Sequence, residues 1–241
     1  MAIMKTNHRS ATLIILWSFL AATSAGAQTV KLVVAGDEGW TTSLAAHNQT
    51  AAAATLPLTD CSGGPLVQLR LEPGAQALAR NIVPYFCALR GAFGLFDVPD
   101  VGSMETHLQY RDRSGATAFY VVPALRVKLD EKNDSARVPM IVNDDEEQTW
   151  AVLFGDPGPI TFEIYNEHGT LVRTEVANEQ DFIPHWKLLI HPVEQRVAIG
   201  TLVITEGDKT RPALPVENET YYGFVIVAAR DGSSSHVRVW E

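Results

Sequence analysis

The chain is poor in sulfur, with two cysteines and four methionines among 241 residues. So few cysteines exclude a zinc-cluster protein and a disulfide-dense miniprotein. Positive charge is also in deficit: 19 Lys+Arg face 28 Asp+Glu, a formal charge of -9. A phosphate backbone calls for a basic surface, so a general nucleic-acid binder is excluded. No apolar run is long enough to span a bilayer, which excludes a polytopic helical membrane protein. The short catalytic signatures are missing as well. There is no G-x-S-x-G elbow, no phosphate-binding G-x-x-x-x-G-K-S/T loop, no H-E-x-x-H and no G-x-G-x-x-G after a strand. What remains is ordinary globular composition, 46% hydrophobic and 20% charged.

The N-terminus reads as an export leader. Lys5, His8 and Arg9 form a basic start, Ala11 to Ala22 is apolar, and Ser24-Ala25-Gly26-Ala27 supplies small residues before a cut after Ala27. The apolar run would rise about 18 Å as a helix, too short for a hydrocarbon core of roughly 30 Å. Residues 1–27 are therefore expected to be removed, which takes the formal charge from -9 to -11 because Lys5 and Arg9 leave. The mature chain is expected in the periplasm or outside the cell, with no integral membrane segment. Cys61 and Cys87 stand in no metal-binding spacing. In an oxidising compartment they read as one structural disulfide, with two buried thiols as the alternative. In the chain-entropy view such a bridge stabilises by roughly 3 kcal/mol.

Past the leader the pattern is that of strands. Val67, Leu69 and Leu71 alternate with polar neighbours, as do Leu125, Val127 and Leu129, then Ile160, Phe162 and Ile164, then Val237 and Val239. A period of two puts one set on a buried face. Lys31 to Val34, Phe119 to Val122 and Phe224 to Val227 are instead nearly continuous apolar runs. Gly/Pro turns separate the segments, among them Glu72-Pro73-Gly74 and Asp156-Pro157-Gly158-Pro159. The expected fold class is all-β, an antiparallel sandwich. One short helix fits within 75–90, interrupted at Pro84.

Two internal echoes point to a repeat. Gly39-Trp40-Thr41-Thr42-Ser43-Leu44 is matched by Gln148-Thr149-Trp150-Ala151-Val152-Leu153, and Arg111-Asp112 by Arg230-Asp231. They divide the mature chain into two tandem sandwich units, 28–129 and 148–241, with the charged stretch 130–147 as junction.

The opening Ala35-Gly36-Asp37-Glu38-Gly39-Trp40-Thr41-Thr42-Ser43-Leu44, with Asn48 after it and Leu71-Glu72-Pro73-Gly74 midway, resembles uncharacterised secreted bacterial proteins built from β-sandwich repeats. The resemblance implies an immunoglobulin-like or fibronectin-like sandwich and transfers no catalytic residue.

Few side chains qualify as site residues. Asp144, Asp145, Glu146 and Glu147 are the candidate calcium ligands, because calcium takes several hard oxygens; a solvated charge run is the competing reading. Tyr221 and Tyr222 are the aromatic pair expected to be exposed, hence candidates for stacking on a sugar. No catalytic residue and no cofactor is singled out. The favoured reading is a non-catalytic secreted module that binds a protein or glycan, not nucleic acid. The alternative is a secreted glycan-directed hydrolase that uses two carboxylates.

Overall fold

The computed structural model describes residues 28–36, 39–58, 67–80, 82, 93–111, 113–129, 134–183, 187–208 and 220–240. The leader, Cys61 and Cys87 lie outside the described residues.

Most alternating segments and the continuous ones become strands, and the chain is all-β; the alternating Leu125–Leu129 segment is not a strand and makes only single bridges, Leu125 to Lys31 and Leu129 to Tyr221. The first half carries β1 (Thr29–Ala35), β2 (Trp40–Asn48), β3 (Ala54–Leu58), β4 (Val67–Leu71), β5 (Gln76–Ala79), β6 (Phe93–Pro99), β7 (Gly102–Arg111) and β8 (Thr117–Pro123). The second carries β9 (Ser135–Asn143), β10 (Glu147–Phe154), β11 (Ile160–Asn166), β12 (Leu171–Ala177), β13 (Leu188–Pro192), β14 (Val197–Glu206), β15 (Tyr222–Ala229) and β16 (Ser235–Val239). The helical geometry among the described residues is a 3-10 turn at Glu179–Asp181. Within the stretch expected to hold a short helix, Gln76–Ala79 is a strand instead, hydrogen-bonded along β2. Tertiary pairing has overridden the local helix preference of this Ala/Leu-rich run.

Every strand pairing is antiparallel, and the two halves share one pairing scheme. The first half has a sheet ordered β5-β2-β7-β8 and two ribbons, β1-β6 and β3-β4; the second has sheets ordered β13-β10-β15-β16 and β12-β11-β14-β9. Each pair in the first half recurs eight strands later. The second half adds β11 to β14, which joins its two ribbons into one sheet. The stretch 130–147, expected as a junction, contains β9, and its acidic residues 144–147 make the turn into β10. Charge on both flanks hides the inward alternation of Ala136, Val138, Ile141 and Asn143.

Hydrogen bonds place the two halves in register. Thr42 Oγ1 donates to the Ala35 carbonyl at 2.8 Å and accepts from the Ala35 N–H at 3.0 Å. Thr149 Oγ1 does the same with Val142. The Thr42 carbonyl accepts from Ile82 N–H at 2.8 Å, and that of Thr149 from Val193 N–H at 2.9 Å. Arg111 N–H reaches the Gly39 carbonyl and Arg230 N–H the Glu146 carbonyl, both at 2.8 Å. Thr42 stands opposite Leu108 and Thr149 opposite Val227. The tryptophan match is therefore out of step by three residues: Thr149 corresponds to Thr42, Glu147 to Trp40, and Trp150 to Ser43. The shared structural demand is a hydroxyl that clamps two successive strands, and the indoles are incidental to it.

Three apolar clusters hold the molecule. Leu32, Val34, Leu44, Leu56, Ile82 and Met104 fill the first half. Ile141, Leu153, Phe162, Ile164, Ile204 and Tyr221 fill the second. The third lies between them: Val33, Ala35, Leu108, Val122 and Leu125 from the first half meet Val152, Phe154, Leu188 and Phe224 from the second. This explains two of the three continuous runs, Lys31 to Val34 and Phe224 to Val227; in the third, Phe119 and Val121 stay exposed. In β1, Leu32 and Val34 face one cluster and Val33 the other, and Leu32, Val33 and Val34 are all fully buried. In β15, Val225 faces the second-half core while Phe224 faces the shared cluster. A strand buried on both faces loses its polar alternation. The connection between halves is pinned as well. Leu125 exchanges two backbone bonds with Lys31, and Leu129 two with Tyr221. Arg126 grips both carboxylate oxygens of Asp100 and the Gly102 carbonyl.

Candidate functional site

Among the described residues, the outer face of β5-β2-β7-β8 carries exposed apolar side chains next to titratable ones. Alternation sends Leu44 and Met104 inward, so Ser43, Ala45, Glu105, His107 and Gln109 point outward. Register then sets Ser43 beside His107 and His107 beside Val121, Ala45 between Leu78 and Glu105, and Gln109 beside Phe119. Leu78 is 52% exposed, Phe119 51% and Val121 36%. His107 Nε2 lies 2.7 Å from Glu105 Oε1, and its ring meets the Phe119 ring edge-on at 5.7 Å. The face therefore offers an aromatic ring and two aliphatic side chains around a carboxylate–imidazole pair.

Ser43, His107 and Glu105 stand together here, the residue types of a hydrolytic triad. A working triad also needs an oxyanion hole. Acyl transfer needs free backbone N–H donors aimed at the developing oxyanion. β2 and β7 are inner strands of the sheet; β5 pairs with Leu44 to His47 of β2, and Ser43 lies just beyond that ladder. Sequence reasoning missed the trio because Glu105, His107 and Ser43 come together only through cross-strand register.

The residues expected to bind do other work. Asp144 Oδ1 accepts from the Glu147 N–H at 2.8 Å and the Glu146 N–H at 2.7 Å, closing the β9–β10 turn. Those bonds, Glu147 first, hold its carboxyl below the ordinary value of 3.8. Asp145 pairs with Arg196, while Arg230 donates to the Asp144 carbonyl and to Asn143 Oδ1. Backbone donors and guanidinium groups thus already engage Asp144 and Asp145. Among the described residues, no group of three His, Cys, Asp or Glu is placed to hold a metal ion.

Tyr221 and Tyr222 are not an exposed pair. Tyr221 is fully buried in the second-half core against Phe182, its ring packed over Gly155, where a Cβ would collide. Tyr222 lines the shared cluster with the Lys31 ammonium 5.3 Å from its ring centre. Alternation at the start of β15 turns one ring to each side, and both sides are covered. Asn48 is also structural: fully buried, it donates to the carbonyls of Ala52 and Leu71 and accepts from Thr50.

One ionic cluster, buried at Glu175, joins the two sheets of the second half. Glu175 on β12 is 3.0 Å from His191 Nε2 on β13 and 3.2 Å from Arg173 Nε, and Arg173 reaches on to Glu194 at 2.7 Å. The His191 ring stacks on Phe162 at 4.4 Å. It is a clasp between the edge strands β12 and β13, centred on Glu175.

Fold and site together define an all-β sandwich protein. No helix among the described residues is long and apolar enough to cross a membrane. Comparison with protein-family models, with curated proteins and with solved structures finds no match to this chain.

Proposed function

We propose that the chain is an exported, non-catalytic protein made of one β-sandwich unit used twice, and that it acts by contact through the outer face of β5-β2-β7-β8. The basic, apolar and small-residue order of residues 1–27 supports export, which in turn supports a Cys61–Cys87 bridge. The shared pairing scheme and the matching Thr42 and Thr149 clamps support the repeated unit. The observation that carries the contact role is the gathering of Leu78, Phe119 and Val121 on one open sheet face. Solvated sheet faces seldom group large apolar side chains without a use for them. The partner is a protein or glycan surface.

The test sets the mature chain against a panel of polysaccharides, measuring retention and release of reducing ends, and against simple esters. Binding that falls in the Phe119→Ser/Val121→Thr double variant, with no product formed, is the expected result. Product release abolished by Ser43→Ala would establish an enzyme instead.

A further inference from the structure

The middle and the margins of the open face differ in chemistry. Leu78 lies on the edge strand β5, and Phe119 and Val121 lie on the edge strand β8. Between them β2 and β7 present Ser43, Glu105, His107 and Gln109. A protein interface gathers its apolar anchors at the centre and leaves polar groups to the rim. This face does the reverse, with the carboxylate–imidazole pair in the middle and Ser43 beside His107. It suits a partner that is polar along its length and apolar only in flat patches, as a polysaccharide is. Sugar hydroxyls can bond to Ser43 and Gln109, and the C–H side of a sugar ring can cover the exposed Phe119 ring.

Two guanidinium groups add a preference for charge. Arg80 follows Ala79, the partner of Leu44, so it stands beside Ser43 and on the same side as Leu78. Arg111 continues the outward set of β7, opposite Thr117. Both are exposed. Elsewhere Arg70, Arg126, Arg173 and Arg196 are each paired with a carboxylate; among the described residues none pairs with Arg80 or Arg111. Glu105 is itself held by His107 Nε2 at 2.7 Å. Two strand spacings across and four residues along separate Arg80 from Arg111, a backbone distance of roughly 17 Å. One small anion cannot bridge that distance, whereas an anionic polymer can. The formal charge of -9 does not forbid this, because at physiological salt the field of exposed acids is largely screened beyond about 8 Å.

We propose that the partner of the open face is an acidic polysaccharide bearing carboxylate groups, a polyuronate, with Arg80 and Arg111 on its carboxylates and Phe119 under a sugar ring. This rests on the contact role proposed above and names its ligand class. The planar fork of arginine meets a carboxylate through two parallel hydrogen bonds, which suits it to this anion.

Affinity electrophoresis and calorimetry of the mature chain test this. Alginate serves as the polyuronate, dextran sulfate as a sulfated chain, pullulan as a neutral one and polyglutamate as an acidic peptide. The substituted residues are exposed, and an unchanged melting temperature certifies that each variant folds. The wild-type chain is expected to bind alginate in preference to the other three, and to lose it as salt approaches about 1 M, where screening reaches within about 3 Å. Arg80→Gln/Arg111→Gln and Phe119→Ala are each expected to weaken alginate binding roughly tenfold or more. A chain that does not bind alginate, or that prefers dextran sulfate or polyglutamate, overturns the inference. Pullulan bound through Phe119, with the double arginine variant indistinguishable from wild type, would overturn it while leaving the contact role standing. Alginate binding undiminished in both variants would overturn the two together.

Discussion

Replacing Thr42 or Thr149 by valine removes one hydroxyl and keeps the side-chain shape. At Thr42 the hydroxyl serves both backbone groups of Ala35, and Thr42 and Ala35 are fully buried. Valine strands an N–H and a carbonyl that water cannot reach, and each orphaned group costs about 1–3 kcal/mol. Partial relaxation of the β1–β2 turn offsets some of this, leaving a loss of about 2 kcal/mol. For a chain of this size that lowers the melting midpoint by roughly 4–8 °C. Thr149→Val leaves Val142 in the same position, and Val142 is partly exposed, so the loss is smaller. Urea titration followed by tryptophan fluorescence measures both, and Thr→Ser at either position is expected to restore most of the loss. If Thr42→Val falls within about 0.5 kcal/mol of wild type, the ordinary range for inconsequential surface changes, the clamp reasoning is wrong.

Gly223 has no room for a methyl group: a Cβ there would collide with the Trp240 ring and the Val152 carbonyl. Gly223→Ala is expected to cost roughly 1–3 kcal/mol by overpacking, read as a shift of the urea midpoint. Acid lability should trace partly to Asp100 and Asp144. Burial raises the Asp100 carboxyl, but its bonds to Arg126 and the Gly102 N–H outweigh that and hold it below 3.8; Asp144 is held low by the Glu147 and Glu146 N–H groups. A folded-state value below the unfolded one gives stability that is full above the unfolded value and is lost as pH falls through the folded one. Asp100→Asn and Asp144→Asn should therefore lower the melting temperature near pH 7, where that stability is full, and converge on wild type as pH falls below about 4, as a pH series of thermal melts would show.

The all-β class was legible because period-two segments such as Ile160 to Ile164 and Val237 to Val239 fall within strands. The continuous runs at Leu32–Val34 and Phe224–Val227 marked strands too, but their reason, a cluster shared by both halves, depends on packing between segments far apart in sequence. The acidic run at 144–147 looked like a cation site because charge is visible in sequence and the backbone N–H groups that occupy a carboxylate are not. Tyr221 looked exposed because adjacent aromatics give no sign of which face of a strand is covered. The face bearing Ser43, His107, Phe119 and Leu78 left no local motif, since four strands contribute it by register alone.

The claim on which the rest depends is that the two halves are joined by the apolar cluster between them and fold as one body. Amide hydrogen exchange across the whole chain measures this most directly. Leu32 to Val34 in β1, Val152 to Phe154 in β10 and Phe224 to Ile226 in β15 are expected to exchange only through global opening, with a common free energy. Two separate limits, one for β1 and another for β10 and β15, would mean that the halves open independently and would contradict it.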